Sequence, residues 1–270
     1  MTKKLERPEG LPDFDNPPIN EVVLGVQFTP PAGYQQIRAG EVWSLFKDNY
    51  PRVEEQIPLP PQFETFGVHQ QQRINFGLVT GGQHDRFWFL SENGELLLQF
   101  QIDRLLHNWR KVGDETNPYP HFEAMVNGFE SELRKFETYV SSLQTQVLNC
   151  NQAEVSYINH IVHDENDKVS DWFNTVNDRE LNAENMSVTY NRTVTDDKGQ
   201  PWGRLYSEVI PAFKRDGTRI LALNLTVRGA PASPDIPASL DFMKKGREVI
   251  VNEFAKITTE SAHRHWSRIQ

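Results

Sequence analysis

The sequence predicts an α+β fold of two similar halves, each running strand, helix, antiparallel strands and long helix, related by a pseudo-twofold. Three observations carry this expectation. Met125, Gly128, Leu133 and Phe136 recur as Met243, Gly246, Val251 and Phe254 at one constant offset. An apolar strand precedes each of these helices, and Leu98-Gln99-Phe100-Gln101-Ile102 aligns with Leu223-Asn224-Leu225-Thr226-Val227. The strand openings Glu21-Val22 and Glu154-Val155 add a thinner match. Any two amphipathic helices align their apolar residues in a freely chosen register, so the Leu/Val and Phe matches weigh little. The glycines weigh more, because glycine costs about 1 kcal/mol relative to alanine inside a helix. A close helix–sheet contact at both would explain them. The expected units are a leader over 1–18, a first half over 19–147 and a second half over 148–270.

Taken in order, the leader holds Pro8, Pro12, Pro17 and Pro18 among charges, which suits a flexible arm or an extended segment laid over the surface. Val22, Leu24, Val26 and Phe28 alternate as a strand does, and Pro30-Pro31 stops it. Val42, Leu45, Phe46 and Tyr50 are spaced for a helix closed by Pro51, and a proline-broken loop follows over 57–61. Strands are expected over 74–78, 86–90 and 95–102, with turns at Gly81-Gly82 and Asn93-Gly94; Asn-Gly between apolar runs signals a hairpin. Phe122, Met125, Phe129, Leu133, Phe136 and Val140 form one apolar stripe on a helix over 122–143. The second half restarts as a strand at Val155 and continues with a short helix through Val169, Trp172, Phe173 and Val176. Strands over 186–194, 202–210 and 220–227 lead to a helix over 240–257 that runs on toward Trp266.

Composition narrows the function classes. The chain has 270 residues, 37% of them hydrophobic and 24% charged, which supports a packed core rather than disorder. A net charge of −9 repels a phosphate backbone and argues against nucleic acid as the main partner. Cys150 is the single cysteine, so no intrachain disulfide forms. The start of the chain lacks the apolar stretch of a signal peptide, and no window reaches the roughly 18 apolar residues that span a bilayer. A cytoplasmic protein away from membranes is expected.

Catalytic signatures are missing: there is no nucleophile elbow, phosphate-binding glycine loop or dinucleotide fingerprint. The expectation is therefore a non-enzymatic protein, with no catalytic residues, cofactor or metal. His160 and His163 face opposite ways on a strand, and His263 and His265 diverge on a helix, so neither pair suits chelation. The most site-like stretch is Asp103-Arg104-Leu105-Leu106-His107-Asn108-Trp109-Arg110-Lys111. Arginine forks recognise carboxylate and phosphate, and Trp109 offers a stacking surface, so Arg104, Trp109, Arg110 and His160 form one candidate ligand set. The competing reading pairs Asp103 with Arg104, buries Trp109 beneath a loop and leaves Arg110 exposed. Gln99, Gln101 and Asn224, with Thr226, point away from the apolar faces; they line either a polar groove or the solvated back of a sheet.

Pro17-Pro18-Ile19-Asn20-Glu21-Val22, Asp103-Arg104 with Asn108-Trp109-Arg110, Tyr157-Ile158-Asn159-His160-Ile161 and the closing His265-Trp266 occur here in one chain. In that order they resemble an uncharacterised, sporadically distributed family of bacterial proteins of about this length, over nearly the whole chain. The resemblance implies carriage in the accessory genome, where defence, toxin–antitoxin and mobile-element genes gather. It implies no activity and no catalytic residues. Two functions follow as expectations. The first is a protein-binding or regulatory module of the accessory genome, acting on a partner protein or as a homo-oligomer. The alternative is a small-molecule or nucleotide-binding protein with a cleft between the halves.

Overall fold

A computed structural model describes residues 10–67, 85–143, 147–178, 181 and 185–270. The strand expected over 74–78 and the turn at Gly81-Gly82 lie outside them. The strands are β1 (Ile19–Phe28), β2 (Arg52–Gln56), β3 (Arg86–Leu90), β4 (Leu96–Gln101), β5 (Arg104–Arg110), β6 (Cys150–Val162), β7 (Val188–Thr195), β8 (Pro201–Phe213) and β9 (Arg219–Gly229). The helices are α1 (Ala39–Ser44), α2 (Phe122–Leu143), α3 (Val169–Trp172), α4 (Ile236–Ile257) and α5 (Glu260–His265). All nine strands of the described residues join one antiparallel sheet in the order β2-β3-β4-β5-β1-β6-β9-β8-β7. The fold is α+β, with α2 and α4 side by side on one face of that sheet.

β1 and β6 meet at the centre, Val22 opposite Tyr157 and Leu24 opposite Val155. β5 flanks β1, and β9 flanks β6. This corrects the strand alignment drawn from sequence. Leu98 and Phe100 lie in β4, two places from β1, whereas Leu223 and Leu225 lie in β9, directly beside β6. Short alternating strands match one another in almost any register, so the alignment does not reflect equivalent places in the sheet. The offset that carries Met125 to Met243 carries Leu105 to Leu223, and so sets β5 against β9.

Other expectations also shift. The helix read through Tyr50 ends at Ser44, and turns bring Tyr50 into the core at 2% exposure. The helix read from Val169 to Val176 stops at Trp172, its start held by Lys168 N–H donating to the Asp171 carboxylate at 2.8 Å. β2, with the sequence Arg-Val-Glu-Glu-Gln, has no apolar alternation; it is an exposed edge strand whose charges discourage pairing with another chain. The leader is fastened over its described part: Phe14 bridges Arg268 and packs edge-on against Phe254 at 5.4 Å. Trp266 is buried.

α2 and α4 differ at their matched glycines. A Cβ on Gly246 would lie 2.6 Å from Val155 Cγ1 and 3.4 Å from Val227 Cβ, so only glycine lets α4 settle on β6 and β9. A Cβ on Gly128 would meet nothing nearer than His107 Cε1 at 3.8 Å. Close approach therefore explains one glycine and not the other. Gly246→Ala is expected to destabilise by about 1–3 kcal/mol through overpacking. Gly128→Ala is expected to stabilise by about 0.4–1 kcal/mol through helix propensity and unfolded-state entropy. Urea midpoints of the two variants check this, and opposite signs are required.

The face of the sheet away from the helices carries a strap. Residues 57–65 leave β2 and cross over β3, β4, β5, β1, β6, β9 and β8 without joining the sheet. Pro58, Pro60 and Pro61 have no N–H to satisfy, and three glutamines serve the neighbouring donors. Leu59 N–H donates to Gln101 Oε1 at 2.8 Å, Gln62 N–H to Gln27 Oε1 at 2.9 Å and Glu64 N–H to Gln152 Oε1 at 3.2 Å. At the far end Glu64 accepts from Arg204 Nε at 3.0 Å and from the Tyr206 hydroxyl at 2.7 Å. Hence β4 and β5 are buried on both faces, while β6, β8 and β9 alternate buried and half-buried residues.

Candidate functional site

The residues singled out from the sequence do not assemble into one site. The Asp103–Lys111 stretch is mostly β5 itself, not a loop after a strand. Arg104 and Arg110 stand at its two ends, roughly 20 Å apart at strand rise. Arg104 is buried; its Nε donates to Asp103 at 3.1 Å and its Nη2 to the Pro60 carbonyl at 2.9 Å. It holds the strap. Trp109 points to the opposite face and is 1% exposed, a core residue of the strand with Tyr119 of the following loop packed on it, as expected. Arg110 is half-buried, where exposure was expected. Its Nε donates to the Gly94 carbonyl at 2.9 Å, and its guanidinium lies 5.8 Å from the Trp88 ring centre.

Gln99 and Gln101 are buried, which corrects the solvated-back reading for the first half. Gln99 Oε1 accepts from Arg86 Nη1 at 2.9 Å and Trp88 Nε1 at 3.0 Å, while Gln101 binds the strap. Asn224 is half-buried beside Glu208, and Thr226 shares a hydrogen bond with Ser156. His160 is half-buried on the strap face of β6, and its Nδ1 is buried without a hydrogen-bond partner. Burial, then the nearby Lys214, lower its pKa. Among the described residues no group of three or more His, Cys, Asp or Glu is placed to hold a metal ion. Among them, too, no helix is long and apolar enough to cross a membrane.

A different constellation forms a cavity of about 450 Å³ on the helix face, within the size range of ligand pockets. Its floor is Ile19 of β1, Tyr157 and Asn159 of β6 and Leu225 of β9. One wall is the start of α2 with the loop before it, another is the last turns of α4, and the leader closes the rim from Pro12 to Pro17. Each wall has a local cause. Lys111 Nζ donates to the carbonyls of Glu115 at 2.7 Å and Asn117 at 2.8 Å, folding the loop that carries Tyr119. Tyr119 rests on Trp109, ring centres 5.1 Å apart. The leader is held by Asp15 N–H donating to the Ser267 carbonyl and Asn16 N–H to that of Trp266, each at 3.1 Å.

Polar groups converge at one end of this cavity. The Tyr119 and Tyr157 hydroxyls are 3.2 Å apart. Burial, then the neighbouring Tyr157, push Tyr119 well above the usual tyrosine range; burial likewise raises Tyr157. Both stay protonated at neutral pH as hydrogen-bond donors. Arg247 of α4 reaches Glu123 of α2 at 3.3 Å, and its guanidinium covers the Phe122 ring at 5.3 Å. Its Nε is buried with no hydrogen-bond partner. Ile250, Val251 and Phe254 give α4's wall an apolar stretch, while Asp13, Asp15 and Asn16 of the leader make the rim polar. A chamber of mixed character, with Arg247 and Lys111 set among the carboxylates of Asp13, Asp15 and Glu123 and two hydroxyl donors, is equipped to orient a small organic ligand.

Sequence reading missed Tyr119, Tyr157 and Arg247 as a set because they come from three separate elements. One signal was present: Arg247 follows Gly246, the glycine that draws α4 onto the sheet. Compared with known proteins, the chain matches no family model and no curated protein.

Proposed function

We propose that the protein binds a small molecule in this cavity, and that its two halves arose by duplication, with the cavity formed where they meet. The single observation that carries the binding reading is the convergence of Tyr119, Tyr157 and Arg247 inside a chamber of ligand-pocket size. Duplication is supported by β5 lying beside β1 and β9 beside β6, each pair's half ending in a helix of 22 residues. Walls drawn from both halves favour the small-molecule alternative over the partner-protein reading, whose support is acidic charge and the missing catalytic motifs.

The test is a panel of small aryl and alkyl compounds titrated into the protein while two-dimensional NMR follows its backbone amides. Binders are expected to shift resonances of residues 111–123, 157–159 and 247–254. A compound at a hundred times its Kd stabilises the fold by about 2.7 kcal/mol. Val251→Trp, which fills the chamber from a half-buried helical position, is expected to fold and to lose both the shifts and the stabilisation. Binders that still stabilise Val251→Trp would place the ligand elsewhere.

A further inference from the structure

The charges of the cavity narrow its ligand, an inference that rests on the binding reading above. We infer that the ligand is an organic carboxylate on an apolar body, and that Glu123 occupies Arg247 in its place until it arrives. Arg247 is under-satisfied as it stands. Its contact with Glu123 is 3.3 Å, longer than the roughly 2.7–2.9 Å of a good charge-assisted hydrogen bond, and its Nε has no hydrogen-bond partner. The Phe122 ring occupies one face of the guanidinium, which leaves in-plane acceptors as the groups able to satisfy it. A planar carboxylate has that geometry.

The tyrosines supply a second donor. With one hydroxyl donating to the other across 3.2 Å, one O–H proton is left for a third partner. Burial holds both phenols in their neutral form, so an incoming anion meets donors and no opposing charge from them. Glu123 does oppose it, as do Asp13 and Asp15 at the rim. The Glu123 carboxylate comes from α2 and Arg247 from α4, so exchanging Glu123 for ligand loosens one tie between the two long helices. Leu225, Ile250 and Val251 then face the body of the ligand, which sets its apolar character. The net charge of −9 repels anions at long range, so selection of the carboxylate is the work of these few groups at close quarters.

A matched pair of probes separates the head group from the body: 3-phenylpropanoate and its neutral analogue 3-phenylpropanamide, titrated by NMR. The acid is expected to bind about ten times tighter than the amide, the value of one charged hydrogen bond. Glu123→Gln removes the internal competitor and is expected to raise that ratio. Arg247→Met is expected to bring it near one. Should Arg247→Met fail to fold because Glu123 is left unpaired, the double variant Glu123→Gln with Arg247→Met removes both charges and should give the same levelled ratio. Equal affinity for acid and amide in the wild-type protein, both lost in Val251→Trp, would overturn the carboxylate inference and leave the cavity reading standing. A Glu123→Gln protein whose ratio is unchanged or lower would overturn the competitor role. Neither probe binding, with no other compound shifting the cavity residues, would sink the cavity reading and this inference with it.

Discussion

Trp109→Ala is expected to lower the melting temperature by about 6–20 °C, corresponding to about 3–5 kcal/mol for a chain of this size. The indole is 1% exposed on the helix face of β5, so its removal leaves a cavity that the sheet cannot close. The damage extends beyond the core. Tyr119 packs on Trp109 at 5.1 Å, and Lys111, whose ammonium sits 5.8 Å from the indole centre, folds the loop beneath Tyr119. The variant is therefore expected to lose the cavity wall along with stability. Thermal unfolding followed by circular dichroism reads the first effect, and titration of any binder found for the wild-type protein reads the second. A Trp109→Ala protein that melts within a degree or two of wild type would mean that the indole serves ligand stacking instead of packing.

The second large effect lies under α2. Glu132, a carboxylate on the buried side of that helix, accepts from the Tyr50 hydroxyl at 2.5 Å and lies 2.9 Å from His107 Nδ1. Burial, then the charge of Glu132, raise the Tyr50 pKa far above its ordinary value, which keeps the phenol protonated as a donor. Glu132→Ala strips both groups of their partner inside the core and is expected to cost about 3–5 kcal/mol. Adding Tyr50→Phe and His107→Leu to the same chain removes the stranded polar atoms and is expected to recover part of the loss. Urea midpoints of the single and triple variants measure this. A single variant within about 1 kcal/mol of wild type would show that water replaces the carboxylate there.

What the sequence made legible was periodicity that one element could display alone. The stripe from Phe122 to Val140 needs only its own helix to be recognised, and α2 has the expected bounds. Asn93-Gly94 likewise announces its turn locally, with Gly94 at φ 77° between β3 and β4. β2 stayed hidden because an exposed edge strand has no apolar face to bury. Arg104, His107 and Arg110 looked like a site for a related reason. Polar residues beside a strand suggest chemistry until the segments that bury them are known, and those segments, the strap and α2, are far away in the chain. The cavity was illegible on the same ground. Tyr157 and Arg247 are unremarkable alternation and helix surface until the loop at Tyr119 and the leader close around them.

The strap also sets the order in which this molecule is able to assemble. Glu64 waits for Arg204 and Tyr206, 140 and 142 residues further along, so its anchor does not exist until most of the chain has left the ribosome. β1 waits as well, since β6 lies beyond both β5 and α2. Such high contact order slows folding, because loop closure must precede the contacts that reward it. An emerging first half therefore presents the open edge of β1 and a proline-rich segment with nothing at its far end to grip. That unfinished edge is a template for mispairing with another nascent chain, so slowing synthesis of the second half is expected to lower the folded yield.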